Sequence, residues 1–176
     1  MKGKTFAEKV FGAATGDIVF RQPDIILTHD NTSSIESTFR KMGGSRVFNP
    51  DQLLIVLDHN APPTNSKLAN DYQQIRNFVI DQGIRKFHDA GDGICHQLME
   101  KYARPGMIIA GSDSHTCTAG AFNAMATGID RTETAGLWKQ GETWFRVPDS
   151  MRISLHGKLP KGVYAKDLAL YIIGMI

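Results

Sequence analysis

The five residues Leu53 to Leu57, L-L-I-V-L, constrain this chain more than any other stretch. An unbroken apolar run of strand length, rich in branched side chains, suits a strand buried on both faces. Such strands belong to parallel sheets covered by helices on each side. The run empties directly into Asp58, His59 and Asn60. Two further runs end the same way. Asp24 to Leu27 passes into Thr28, His29, Asp30, Asn31 and Thr32, and Met107 to Ala110 passes through Gly111 into Ser112, Asp113, Ser114, His115, Thr116 and Cys117.

Helical signals separate these runs. Thr5 and Glu8 have capping-box spacing ahead of a helix over residues 5–15, and Ser33 and Glu36 repeat the spacing ahead of one reaching Met42. Asn65 caps a helix that closes at Gly83, and its stripe of Leu68, Tyr72, Ile75 and Val79 is core. Lys86 to His88 reads as a short strand, and Gly91-Asp92-Gly93 as a turn into a helix carrying Cys95 and His96. Small residues from Ala119 to Gly128 predict a closely packed helix, followed by another from Thr132 to Gln140. Thr143 to Val147 and Met151 to Leu155 alternate around Pro148-Asp149-Ser150, the pattern of an antiparallel hairpin at the sheet margin. The reading is one α/β domain over residues 1–176 with a mostly parallel sheet. Tyr164 to Ile176 grows steadily apolar, which predicts a fragment of a longer chain, since such an end would leave an apolar patch uncovered.

Composition narrows the class. At 176 residues and a formal charge of +2, with Lys and Arg scattered, no basic stripe points to nucleic acid. No apolar run reaches the roughly 18 residues of a membrane span. Two cysteines are too few for a secreted disulfide framework, and M-K-G-K-T-F-A-E-K lacks a signal peptide's apolar core, so the expected compartment is the reducing cytoplasm.

Alternating strands and helices bring the ends after Leu27, Leu57 and Ala110 to one sheet edge, where their polar clusters converge. A histidine beside a carboxylate has its tautomer fixed and its charged form favoured, which makes it a proton donor near neutral pH. Neighbours on an extended chain point apart, so Asp58 need not touch His59, and cross-cluster pairs such as Asp113 with His96 are equally open. His88 and His156 lack this context. A mononuclear zinc or iron site on His59, His96 and His115 is a rival, though there is no HExxH and no i, i+4 histidine pair. Cys117 is the tempting nucleophile, but two thiols cannot complete the usual ligation of an iron–sulfur cluster.

Four ordered motifs, T-H-D-N-T-S at 28–33, V-L-D-H-N at 56–60, G-I-C-H-Q at 93–97 and G-S-D-S-H-T-C-T-A-G-A-F at 111–122, resemble the aconitase superfamily. The likeness is to the large subunits of 3-isopropylmalate dehydratase and homoaconitase, and V-Y-A-K-D at 163–167 is similar too. The resemblance implies a three-layer α/β/α fold and a cytoplasmic hydro-lyase that isomerises a 2-hydroxy di- or tricarboxylate by removing and re-adding water. By motif, Asp58, His59, His96, Asp113 and His115 take catalytic positions. His59 with Asp58 would protonate the departing hydroxyl, His96 pairs with Asp113, and the acidic partner of His115 would lie past Ile176. By the same resemblance, His29 and Ser114 occupy positions where the family contacts substrate or lines the site.

The resemblance also implies a [4Fe-4S] cluster in the complete protein, with its three cysteines and the substrate-binding arginines later than Ile176, so none is expected on this chain. The implied partner is a small swivelling subunit that carries the serine base. Two departures bear on the pocket: Asn123 stands where glycine is expected, and Asp130-Arg131 where smaller residues are usual. The alternative is a non-catalytic module of this family that binds a carboxylate or a subunit.

Overall fold

The computed structural model describes residues 3–176. In chain order the elements are α1 (Phe6–Phe11), β1 (Ile18–Arg21), β2 (Ile25–Thr28), α2 (Thr32–Lys41), β3 (Leu53–Val56), α3 (Ser66–Gln82) and β4 (Lys86–His88). Next come α4 (Cys95–Leu98), β5 (Ile108–Gly111), β6 (Met125–Gly128), α5 (Arg131–Gln140), β7 (Thr143–Arg146) and α6 (Ala165–Ile173). Five strands form a parallel sheet in the order β4-β3-β2-β5-β6. The central strands β2, β3 and β5 are buried along their whole length, as their uninterrupted apolar sequences require.

Side-chain alternation along these strands builds two cores. Ile26, Leu53, Ile55 and Ala110 face one layer, where they pack with Ile35 and Phe39 of α2, Tyr72, Ile75 and Phe78 of α3 and Trp138 of α5. Ile25, Leu27, Leu54, Val56 and Ile109 face the other, against Cys95, Leu98, Met99 and Ala119. The architecture is therefore helix, sheet, helix, as expected. The α3 helix starts on the Asn65 side chain, which accepts from the Leu68 N–H at 3.0 Å, and it stops at Gly83 in the left-handed region, φ 70°.

Three expectations need correction. Thr143 to Val147 supplies β7, but its antiparallel partner is β1, pairing Phe20 with Trp144 and Ile18 with Arg146. Residues 151–155 take no regular structure and are exposed, so there is no hairpin around Pro148. Residues 119–128 are no helix: a 3-10 helix over Ser114–Phe122 ends at Asn123, φ 59°, and the chain enters β6. The box at Ser33 and Glu36 is absent. Here α2 begins at Thr32 after Asn31, whose side chain bonds Ser112, while Glu36 reaches Arg40 and Gln74.

The two departures from the resemblance have local backbone reasons. A left-handed residue is cheapest as glycine, and asparagine is among the few others that adopt it readily, so Asn123 preserves the turn. Asp130 caps α5, its carboxylate accepting from the Glu133 N–H at 2.8 Å.

Candidate functional site

The chain starts its sheet at the centre with β2, moves outward through β3 and β4, then crosses back to lay β5 on the other side of β2. The carboxyl ends of β2 and β5 thus flank a topological switch point, where open α/β sheets leave a crevice for ligands. A clasp ties the two ends together. The Ser112 N–H donates to the Leu27 carbonyl at 2.9 Å, Asn31 Nδ2 donates to the Ser112 carbonyl at 3.0 Å, and Ser112 Oγ donates to Asn31 Oδ1 at 2.9 Å.

All three polar clusters meet at this edge, and His59 joins them. Its Nδ1 lies 2.7 Å from Asp58 Oδ1 and its Nε2 lies 3.1 Å from Asp113 Oδ2. The adjacent pair therefore does touch, because the backbone turns as it leaves β3. Asp113 is the hub of the cluster. Its Oδ1 accepts from the His115 N–H at 2.6 Å and lies 3.1 Å from His96 Nε2. Asp58 reaches the other way, and its Oδ2 accepts from the Cys95 N–H at 2.7 Å, fixing the start of α4 and with it His96.

Electrostatics separates the histidines. Burial alone would lower the His59 imidazole, but the hydrogen bonds and charges of Asp58 and Asp113 outweigh it and hold the group above its ordinary value. His29 stacks on His59 with ring centroids 3.9 Å apart and goes the opposite way. Its burial, then the neighbouring His59 charge, push it down. The two stacked rings are thus shifted in opposite directions, the split expected of groups with different proton-transfer tasks. Burial raises the two carboxylates, yet each ends below its usual range. For Asp58 the Cys95 N–H and His59 prevail, and for Asp113 the His115 N–H, His59 and the His96 charge.

The remaining candidates are looser. His115 has a side chain 78% exposed, with Nδ1 3.4 Å from both Asp113 Oδ1 and Ser114 Oγ, and Ser114 is itself exposed. His29 Nδ1 is buried without a hydrogen-bond partner. His88 bonds Tyr102 at 2.7 Å, away from the site. The sequence places Asp30 in the first polar cluster without a role of its own, and Asn31 and Asn60 lie within the same H-D-N and D-H-N triplets.

His59, His96 and His115 do not form one compact donor group. The close groupings are His29, His59 and Asp113; Asp58, His59 and Cys95; and His96, Asp113 and His115. A polar groove of ≈ 450 Å³ between α2 and α3 carries Glu36, Arg40 and Asp81, whose charges pair with one another. It holds no histidine or cysteine.

The pattern of the aconitase family (aconitate hydratase) matches residues 4–176. The chain belongs to the aconitase family. It is 42% identical to "3-isopropylmalate dehydratase large subunit 1" of Methanopyrus kandleri over 99% of this chain and 44% of that protein. It is 41% identical to the protein of that name in Thermotoga maritima (97% and 42%) and 40% identical to the "methanogen homoaconitase large subunit" of Methanocaldococcus jannaschii (96% and 40%). The chain thus spans about two fifths of the length of these aconitase-family relatives.

Members of the family bind an iron–sulfur cluster, which needs several thiolates. This chain has two cysteines. Cys95 is fully buried, and burial together with Asp58 pushes its thiol far up, which opposes the thiolate a metal requires. Cys117 is exposed and only its contact to the Ser114 carbonyl, at 3.7 Å, tethers it. The thiols of these 176 residues do not fit the cluster. Among the described residues no helix is long and apolar enough to cross a membrane.

Proposed function

We propose that this chain supplies the acid–base wall of a cytoplasmic hydro-lyase that isomerises a 2-hydroxy di- or tricarboxylate, such as 3-isopropylmalate or homocitrate. The reading rests above all on His59 bridging Asp58 and Asp113. Hydroxide is a poor leaving group, so the hydroxyl must receive a proton as its C–O bond breaks. An imidazole whose charged form two carboxylates favour, with 37% of its side chain still exposed, suits that task. The 2.7 Å contact to the better buried Asp58 fixes the ring, while the 3.1 Å contact on Nε2 is the one a substrate hydroxyl can replace. In the return direction the neutral imidazole takes the proton of the attacking water.

In this proposal His96 holds Asp113 from the far side, His115 is a third imidazole at the mouth, and His29 and Ser114 contact substrate. The [4Fe-4S] cluster would act as Lewis acid in the complete protein, and its cysteines and the small swivelling subunit lie outside these residues. The test is turnover by a complete large subunit, with its small subunit, reconstituted with iron and sulfide. The expected result is dehydration of one of these acids, followed by the absorbance of the unsaturated product. A preparation with cluster absorbance and no turnover on any such acid would contradict the proposal.

The second reading is a family module that keeps this site geometry and binds a carboxylate or a subunit without catalysis. Citrate-like acids would then bind the 176-residue chain at equilibrium, and a monodisperse monomer that binds none of them counts against it.

A further inference from the structure

Asp30 lies one residue beyond the end of β2's own site residue, His29, and is buried to 9% exposure. Its carboxylate is unusually crowded with donors. Oδ1 accepts from the Asp58 N–H at 3.0 Å, and Oδ2 accepts from the Asn60 N–H, from Asn60 Nδ2 at 3.0 Å and from Tyr72 OH at 2.9 Å. Three of these four donors belong to the loop that carries His59, and the fourth comes from α3, which packs beneath it. No lysine or arginine takes part, so the carboxylate is stabilised by hydrogen bonds alone. A buried carboxylate in that setting is costly unless it is fully bonded, and here it is.

We propose that Asp30 is a positioning residue, the anchor that grips the Asp58–Asn60 loop from both sides and so sets His59 between Asp58 and Asp113. The role in dehydration rests on the proposed function, but the anchoring is a property of this chain alone. The loop follows the last residue of β3 and has no ladder bonds of its own at Asp58 and Asn60, so these two N–H groups fix its course through Asp30. Displacement of the loop would be felt at the 3.1 Å contact of His59 Nε2 with Asp113 Oδ2, which joins this loop to the one after β5.

The groups that face His59 are Asp58 on its own loop, Asp113 from the loop after β5 and His29 at the end of β2. Beyond them, Cys95 of α4 holds Asp58 and His96 of α4 holds Asp113. Asp30 lies among the charges that act on His29, and it reaches the loop of His59 through the Asp58 and Asn60 N–H groups.

Two measurements on the 176-residue protein test the proposal, and neither depends on turnover. The first is amide hydrogen exchange by NMR in the unaltered chain. Anchoring predicts that the Asp58 and Asn60 amides, outside any helix or strand, are protected by about a hundredfold or more over free peptide rates. Exchange at free peptide rates overturns it.

The second is histidine titration by NMR in Asp30→Asn. The amide places an NH2 group against donors it cannot accept from, so the loop loses its grip on one side. The His59 midpoint is expected to fall by about half a pH unit or more. A folded variant in which His29 moves and His59 does not shows a field effect only and overturns the anchor. Should Asp30→Asn fail to fold, Tyr72→Phe removes one donor at nearly constant volume. It should loosen Asn60 protection severalfold, and unchanged protection there counts against the anchor. If a complete enzyme proves inactive, these results stand or fall unaffected, so the two readings are judged separately.

Discussion

At the scale of single residues the site depends on carboxylates that are shared. Asp58 serves His59 on one oxygen and the Cys95 N–H on the other, with only 5% of its side chain exposed. Asp58→Asn leaves one of these donors facing an NH2 group and removes a charge that keeps His59 protonated. The expected cost is about 1–3 kcal/mol of stability in urea unfolding, with a lowered His59 titration midpoint by NMR. The pairing of Asp58 with His59, and of His96 with Asp113, follows from the family resemblance of the motifs, because the spacing of the residues alone leaves both open. The part of Asp30 was not legible in the sequence. It acts through backbone N–H groups at positions 58 and 60, and a sequence does not display which carboxylate a backbone amide will meet. The loose setting of His115, 78% exposed, is likewise a matter of geometry that spelling does not reveal.

At the scale of elements, the edge that carries the site is built on close backbone approach. A Cβ added at Gly111 would fall 2.2 Å from Thr116 Oγ1, a buried group that bonds the Asp113 carbonyl, and one at Gly128 would fall 2.8 Å from that same carbonyl oxygen. Gly111→Ala should therefore destabilise by about 1–3 kcal/mol in urea unfolding and disturb the Asp113 environment seen in histidine spectra. Asn123 gives a complementary case. Asn123→Gly should be close to neutral, whereas Asn123→Val, which resists the left-handed region, should cost about 1–2 kcal/mol or more in the same assay. The parallel strands β2, β3 and β5 were legible because full burial writes an unbroken apolar run. Strand β6, A-M-A-T-G in context, was hidden by alanines that suit a helix equally well. The β1 and β7 pairing was hidden because its partners are some hundred residues apart in sequence, while a nearer candidate partner, 151–155, had the right alternation.

For the whole molecule, two properties follow from how groups are distributed. Residues 148–176 contain no buried residue, yet Leu170, Tyr171, Ile173, Met175 and Ile176 of the last stretch are all largely exposed. Truncation after Asp149 should leave the melting temperature within about 3 °C while reducing concentration-dependent association in light scattering. The site also sets an acid limit. Asp58 and Asp113 have folded-state values below their unfolded ones, so the unfolded chain binds their protons more readily. Their contribution is fully present above the ordinary value of 3.8 and is lost as pH falls through the folded-state values. Urea midpoints should drop across that window, and the drop should be smaller in Asp113→Asn. His59, raised in the folded state, works in reverse: its contribution is complete below 6.5 and fades as pH rises through its folded value. The central claim is that this charged imidazole is the acid of a dehydration. Its most direct test is steady-state kinetics of the complete, cluster-loaded enzyme with His59→Gln beside the unaltered form. The account predicts that kcat falls about 10²–10⁴-fold with a much smaller change in KM, and that the alkaline limb of the pH profile set by His59 disappears. A kcat within a few fold of the unaltered enzyme, with that limb unchanged, would contradict it.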